Sequence, residues 1–333
     1  MWRPKTGLLL ILMMLVVSAT AAATGLDQSN RFLVTLARPG GGLSESALVH
    51  LRDRYQLLLV RGLMSDSTAS DSYFEDQLRW LRQRRFGYHL MGDRDTGFSG
   101  SGSTVSNAAA IHKRIVTDYG SDPRPYIIIS HSKGGLDTLA ALLGYPDLYR
   151  QGKVVGWIAL QTPFSGTPLA DWLAAPLGLP VFDRLDDRTR LPLPVTDMAV
   201  LADLGSKPRR RYLAEHAVGI RDLLQQLPVL SFGSWLGEAR QPGRWSSLML
   251  IQDMISALAG VRSDGVIPLD STVLRIDGRV LNPYIAVKGL DHYVPVSYSV
   301  PLLGADPPGF RKFDRVQFLR SLLAVWLTLP QNR

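Results

Sequence analysis

The chain has 333 residues, 46% of them hydrophobic and 20% charged, with a formal net charge of +8 at pH 7 and no cysteine. That length and balance suit one large α/β domain or two smaller ones around a sizeable core. The lack of cysteine excludes disulfides, thiolate metal sites, a cysteine nucleophile and a lipid-modified lipoprotein cysteine.

Residues 1–23 read as a secretory signal and not as part of the fold. Trp2-Arg3-Pro4-Lys5 is a basic n-region, residues 8–17 are an apolar h-region, and Ala19-Thr20-Ala21 and Ala21-Ala22-Ala23 offer small-residue cleavage sites. The expected mature chain, residues 24–333, is therefore secreted or periplasmic. The competing reading is an uncleaved anchor, because the apolar stretch is only slightly short of a spanning helix. The basic clusters Arg82-Gln83-Arg84-Arg85 and Lys207-Pro208-Arg209-Arg210-Arg211 accompany no nucleic-acid motif. They read as solvated helix faces with some affinity for anionic surfaces, and no nucleic-acid partner is expected.

Beyond the signal, residues 31–36 predict a first short strand, followed by the turn Pro39-Gly40-Gly41-Gly42 and a helix over 44–54. Gln56-Leu57-Leu58-Leu59-Val60 is a buried-strand run that stops at Arg61-Gly62-Leu63-Met64. Residues 71–85 form an amphipathic helix with Phe74, Leu78 and Leu81 on one stripe, and 86–91 the next strand. A glycine- and serine-rich loop over 93–103 precedes a helix over 104–119, on which His112 reads as a surface or packing residue. The run Pro125-Tyr126-Ile127-Ile128-Ile129 is again a buried strand, ending at Ser132, and Leu136, Leu139, Leu142 and Leu143 set a helical period directly after it. Residues 153–160 are another strand.

From 172 to 259 the pattern loosens into proline-broken helical stretches, as expected of a lid or cap inserted above a sheet, with one core strand over 227–232. Trp172, Trp235, Trp245 and Met249 read equally as lining of an apolar pocket or as the cap's own core. A strand over 284–288 and an amphipathic helix over 313–327, expected to pack the sheet edge, close the chain. The alternation predicts an α/β fold: a mostly parallel sheet with helices on both faces.

Strand, sharp turn and helix give meaning to Ser130-His131-Ser132-Lys133-Gly134, a G-x-S-x-G-like motif with serine in the first glycine position. Ser132 at the tip is the candidate nucleophile, and the amide of Lys133 at the helix N-terminus faces any oxyanion formed there. A serine-glycine turn of no catalytic role is the bland alternative. Asp264, in the turn Asp264-Gly265, is the candidate acid, with Asp270 as its rival in the same loop. Of the six histidines, His292 alone follows both Ser132 and Asp264 in the chain, which makes it the candidate base.

Together these residues resemble the α/β-hydrolase superfamily, and most nearly its bacterial secreted triacylglycerol lipases and esterases. The likeness runs from Leu57 to His292: the Arg61-Gly62-Leu63 turn, the Ser130-to-Gly134 elbow, the Thr162-Pro163…Gly166-Thr167-Pro168…Ala170-Asp171 segment, Asp264-Gly265 and Leu290-Asp291-His292. It implies an α/β-hydrolase fold, a Ser132-His292-Asp264 triad, and an oxyanion hole from the amides of Lys133 and of Leu63 or Met64. It also implies hydrolysis of carboxylic or lipid esters through an acyl-enzyme, with peripheral contact to a lipid surface and no metal or organic cofactor. Arg61 departs from the histidine usual at its position. Val294 stands where these lipases often carry a calcium-binding aspartate, so no calcium site is expected. An acyltransferase or thioesterase on the same triad, and a non-catalytic binding protein on this scaffold, are the rival readings.

Overall fold

The computed structural model describes residues 25–63, 73–92, 97–174, 200, 203–236, 260–297 and 313–330. Six strands form one sheet: β1 (Gln56–Val60), β2 (Gly87–Met91), β3 (Tyr126–His131), β4 (Val154–Leu160), β5 (Val229–Trp235) and β8 (Tyr284–Lys288). Their spatial order is β2-β1-β3-β4-β5-β8, and every neighbouring pair is parallel. Two short strands, β6 (Arg275–Ile276) and β7 (Arg279–Val280), make a separate hairpin.

The strands read as unbroken apolar runs because both faces of the sheet are covered. Alternate residues feed two cores. Leu57, Leu59, Ile127, Ile129 and Phe232 face α1 (Ser29–Leu36), α2 (Glu45–Arg54), α3 (Glu75–Gln83) and α10 (Arg315–Leu327). Leu58, Val60, Ile128 and Trp157 face α4 (Thr104–Tyr119), α5 (Lys133–Gly144) and their neighbours α6 (Asp147–Arg150) and α9 (Ala217–Gln226). Serine and aspartate caps start several of these helices: Ser44 accepts from the amide of Ala47 at 3.1 Å, Ser103 from Ser106 at 3.1 Å, and Asp314 from Gln317 at 2.8 Å.

Three elements depart from the sequence expectation. Residues 31–36 belong to helix α1 and not to a strand. Phe32 is wholly buried there, edge-on to Phe232 and Phe318, while Val34 is 55% exposed. A strand would have put Phe32 and Val34 on one face, so docking a single aromatic overrides the β-forming composition. The helix expected from residue 71 begins at Glu75, after Phe74 turns left-handed at φ 62°. The closing helix α10 lies across a face of the sheet and not at its edge. Its Trp326 packs on Gly156 of the interior strand β4, where any Cβ would collide with the indole.

Of the expected cap, residues 172–174 at the end of α7 (Pro168–Ala174), 200 and 203–236 are described; Trp245 and Met249 fall outside the described residues, as does the signal. Within it, β5 joins the sheet, α9 buries Ile220 and Leu223 in the second core, and α8 (Ser206–Glu215) buries Leu213 there. Among the described residues no helix is long and apolar enough to cross a membrane. The register pairs Val60 with Ser130 and His131 with Leu160, which brings the turns after β1, β3 and β4 together at the carboxyl end of the sheet. Ligand sites of parallel sheets lie at that end.

Candidate active site

Ser132 stands between β3 and α5 with φ 56° and ψ −131°, a conformation that costs energy in any residue with a Cβ. Its surroundings hold it there. The Ser132 amide donates to the carbonyl of Leu160 at 2.9 Å, and three glycines let neighbouring backbone close in. A Cβ on Gly134 would strike the carbonyl of Arg61, one on Gly135 the side chain of Thr162, and one on Gly62 would sit 2.8 Å from the Cβ of Ser132. The motif's leading position tolerates serine because the buried Ser130 hydroxyl accepts from Trp157 Nε1 at 2.8 Å.

The structure brings Ser132, His292 and Asp264 into one hydrogen-bonded chain. His292 Nε2 is 2.9 Å from Ser132 Oγ, and its Nδ1 is 2.9 Å from Asp264 Oδ2. A carboxylate only accepts, so Nδ1 carries the proton and Nε2 presents a lone pair to the serine hydroxyl. Asp264 is fully buried, and its other oxygen accepts the amides of Val266 at 2.9 Å and Ile267 at 2.7 Å. The His292 amide in turn donates to the Asp264 carbonyl at 3.1 Å, locking the two loops together. The rival Asp270 is elsewhere: its side chain is 81% exposed and faces Arg275.

As the first residue of α5, Lys133 has an amide with no partner within its own helix, at the positive end of the helix dipole. On the turn after β1, the amide of Gly62 is occupied, donating to Tyr73 Oη at 3.0 Å. The next amide is that of Leu63, and Met64 lies outside the described residues. Arg61 is buried against Tyr73, reaching the carbonyls of Gly92 and Tyr73 at 3.4 Å.

Several buried polar residues here went unnoticed in the sequence. The Lys133 ammonium does not face solvent; it bonds Asp137 at 2.8 and 3.1 Å, and Asn107 completes that carboxylate at 2.9 Å. Burial outweighs these partners and pushes the Asp137 carboxyl up to about 6. The i, i+4 spacing of Lys133 and Asp137 was a legible sign of pairing. His131 joins Tyr73 Oη, Gln161 and the backbone of His292, and burial together with neighbouring His292 holds its imidazole well below the ordinary histidine range. Asp291 is pushed up to about 6 by burial, although its Oδ1 accepts the amides of Tyr293 and Val294, each at 2.8 Å. His112 stacks on Tyr145, as expected of a packing residue. Among the described residues no group of three or more histidines or carboxylates is placed to hold a metal ion.

No protein-family model and no curated protein matches the sequence. Solved structures do. A metagenomic carboxyl esterase superposes with a TM-score of 0.55 at 21% identity, covering 82% of this chain and 74% of its own. The mature form of a Bacillus licheniformis lipase superposes with a TM-score of 0.51 at 18% identity, over 71% and 84% of the two chains. A Legionella pneumophila phospholipase gives 0.50 at 14% identity, over 82% and 60%. At these identities the likeness is one of fold.

Proposed function

We propose that this chain, which has the α/β-hydrolase fold, is a serine hydrolase that cleaves carboxylic esters, with lipid or other acyl esters as its substrate class. The observation that carries the proposal is the chain Ser132 Oγ, His292 Nε2, His292 Nδ1, Asp264 Oδ2, with both gaps at 2.9 Å and the serine on a strained strand-to-helix turn.

In that reading His292 takes the proton of Ser132 as Oγ bonds to the ester carbonyl carbon. Asp264, with Oδ1 held by two backbone amides, turns Oδ2 to the imidazole Nδ1, fixes its tautomer and stabilises the cation. The negative oxygen of the tetrahedral intermediate is held by the Lys133 amide and by Leu63 or Met64 on the turn after β1. His292 then gives its proton to the departing alcohol as the carbon–oxygen bond breaks. Water, deprotonated by the same imidazole, attacks the acyl-serine, and its proton returns to Oγ as the acid leaves. No step draws on a metal or organic cofactor. Export of residues 24–333 by the N-terminal signal belongs to the same reading, supported by the basic and apolar regions of residues 1–23.

The test is hydrolysis of p-nitrophenyl esters from acetate to palmitate by residues 24–333, beside Ser132→Ala. Turnover that vanishes in the variant supports the proposal, and its chain-length peak separates lipase from esterase. Activity retained by Ser132→Ala, or absent from the folded parent on every ester, rejects it.

A further inference from the structure

The base of the site is carried by a loop, residues 289–293, and two consecutive carbonyls of that loop are gripped by buried side chains at the ends of β3 and β4. Gln161 Nε2 donates to the carbonyl of Asp291 at 2.9 Å, and His131 Nε2 lies 2.8 Å from the carbonyl of His292. Both side chains are fully buried, His131 as the last residue of β3 directly before Ser132 and Gln161 just past β4.

The network has only one consistent set of donors. A carbonyl accepts and cannot donate, so His131 carries its proton on Nε2, which also approaches Gln161 Oε1 at 3.2 Å. Its Nδ1 is then an acceptor, and Tyr73 Oη donates to it while receiving the Gly62 amide at 3.0 Å. The orientation of Gln161 is fixed in the same way: its two amide protons go to the Asp291 carbonyl and to Ser234 Oγ at 2.7 Å. Gln161 accepts a left-handed backbone, φ 46°, to reach them. An apolar pair would fill the space without that strain or the desolvation of two polar side chains.

We propose that His131 and Gln161 are positioning residues, a clamp that sets the backbone of the His292 loop so that Nε2 meets Ser132 Oγ in line. The proposal rests on the hydrolase reading above, in which His292 is the base. Neither residue touches the reacting atoms; each acts through a carbonyl of the loop. The clamp holds the base through its loop and, through Tyr73 and the Gly62 amide, steadies the oxyanion turn, so it governs the chemical step. Loss of a grip therefore lowers kcat by on the order of 10²-fold while KM stays within about threefold.

Four proteins test this: the parent, His131→Leu, His131→Gln and Gln161→Met. His131→Gln returns a donor near the Nε2 position, whereas the other two remove the grip. Each is measured for kcat and KM per folded molecule, for the rate of Ser132 labelling by a fluorophosphonate, and for the far-downfield proton resonance between His292 Nδ1 and Asp264. The expected result is a kcat and labelling rate reduced on the order of 10²-fold in His131→Leu and Gln161→Met. Their downfield proton is shifted or exchange-broadened, and His131→Gln recovers to within about tenfold of the parent. Should His131→Leu not fold, Gln161→Met carries the same test. Variants that melt earlier but turn over and label like the parent would reduce the pair to core filling and overturn the clamp. A parent that labels beside such variants overturns the clamp alone; a folded parent that never labels overturns the hydrolase reading and the clamp with it.

Discussion

At the amino end of the sheet, Arg124 and Asp122 pair at 2.5 Å with about a third of each side chain exposed, and Gln56 ties their loop by donating to the carbonyls of both residues at 3.1 Å. At the carboxyl end, Lys133, Asp137, His131, Gln161, Asp264 and His292 are all buried, and the backbone is left-handed at Ser132 and Gln161. The first arrangement keeps its charges hydrated and costs the fold little. The second takes ions and imidazoles out of water and adds strain, which stability alone does not favour. In the proposed reading, one sheet thus has an end arranged for stability and an end arranged for chemistry. The glycines at 62, 134 and 135 mark where the second end is drawn tight.

The sharpest way to break that contrast is at the two aspartates that compete for one role. Asp264→Asn keeps the shape but lets the imidazole take the wrong tautomer, and kcat should fall on the order of 10⁴-fold. Asp270→Asn should leave kcat within about twofold, as fits a surface side chain. Steady-state kinetics on one ester decides both.

Next in size is the buried ion pair. Lys133→Met keeps the oxyanion amide but strands the Asp137 carboxylate, and urea unfolding should show a loss of about 3–5 kcal/mol. The double variant Lys133→Met/Asp137→Leu should recover most of it, because a matched apolar pair removes both desolvation costs. Failure of the double variant to recover would show that the pair stabilises the fold outright.

A smaller effect follows from protonation. The folded Asp137 carboxyl keeps its proton up to about pH 6, whereas an unfolded aspartate releases it near pH 4. Between those values the folded state binds the extra proton, so this group's contribution to stability declines as pH rises and is fully lost above about pH 6. Asp137→Asn should remove that slope, on the order of 2 kcal/mol between pH 4 and 7, in urea titrations at the two pH values. Asp291 contributes a slope of the same sign. Smallest of all, Arg124→Ala at the amino end should cost under about 1 kcal/mol, an effect that salt reduces.

Much of the architecture was legible because apolar runs, glycines and caps act locally. The strands at Gln56–Val60 and Tyr284–Lys288 and the helix at Thr104–Tyr119 stand where periodicity put them. The serine elbow, the Asp-Gly turn and the late histidine were visible by chain order, and the structure brings those three side chains together. What escaped was set by distant partners. The helix at Ser29–Leu36 depends on a socket for Phe32 made by Phe232 and Phe318, and the seat of Trp326 depends on Gly156. The roles of His131 and Gln161 likewise exist only once the 289–293 loop lies against them. No spacing rule encodes a hydrogen bond across 161 positions, such as that from His131 to the His292 carbonyl.

In the proposed reading the buried polar end of the sheet activates Ser132. Stoichiometric reaction of the folded protein with a fluorophosphonate, followed by peptide mass mapping, tests it most directly. A single adduct is expected on Ser132, forming in the parent and in Asp270→Asn and failing to form in His292→Ala. No adduct, an adduct on another residue, or labelling of Ser132 at the parental rate without His292 would contradict it.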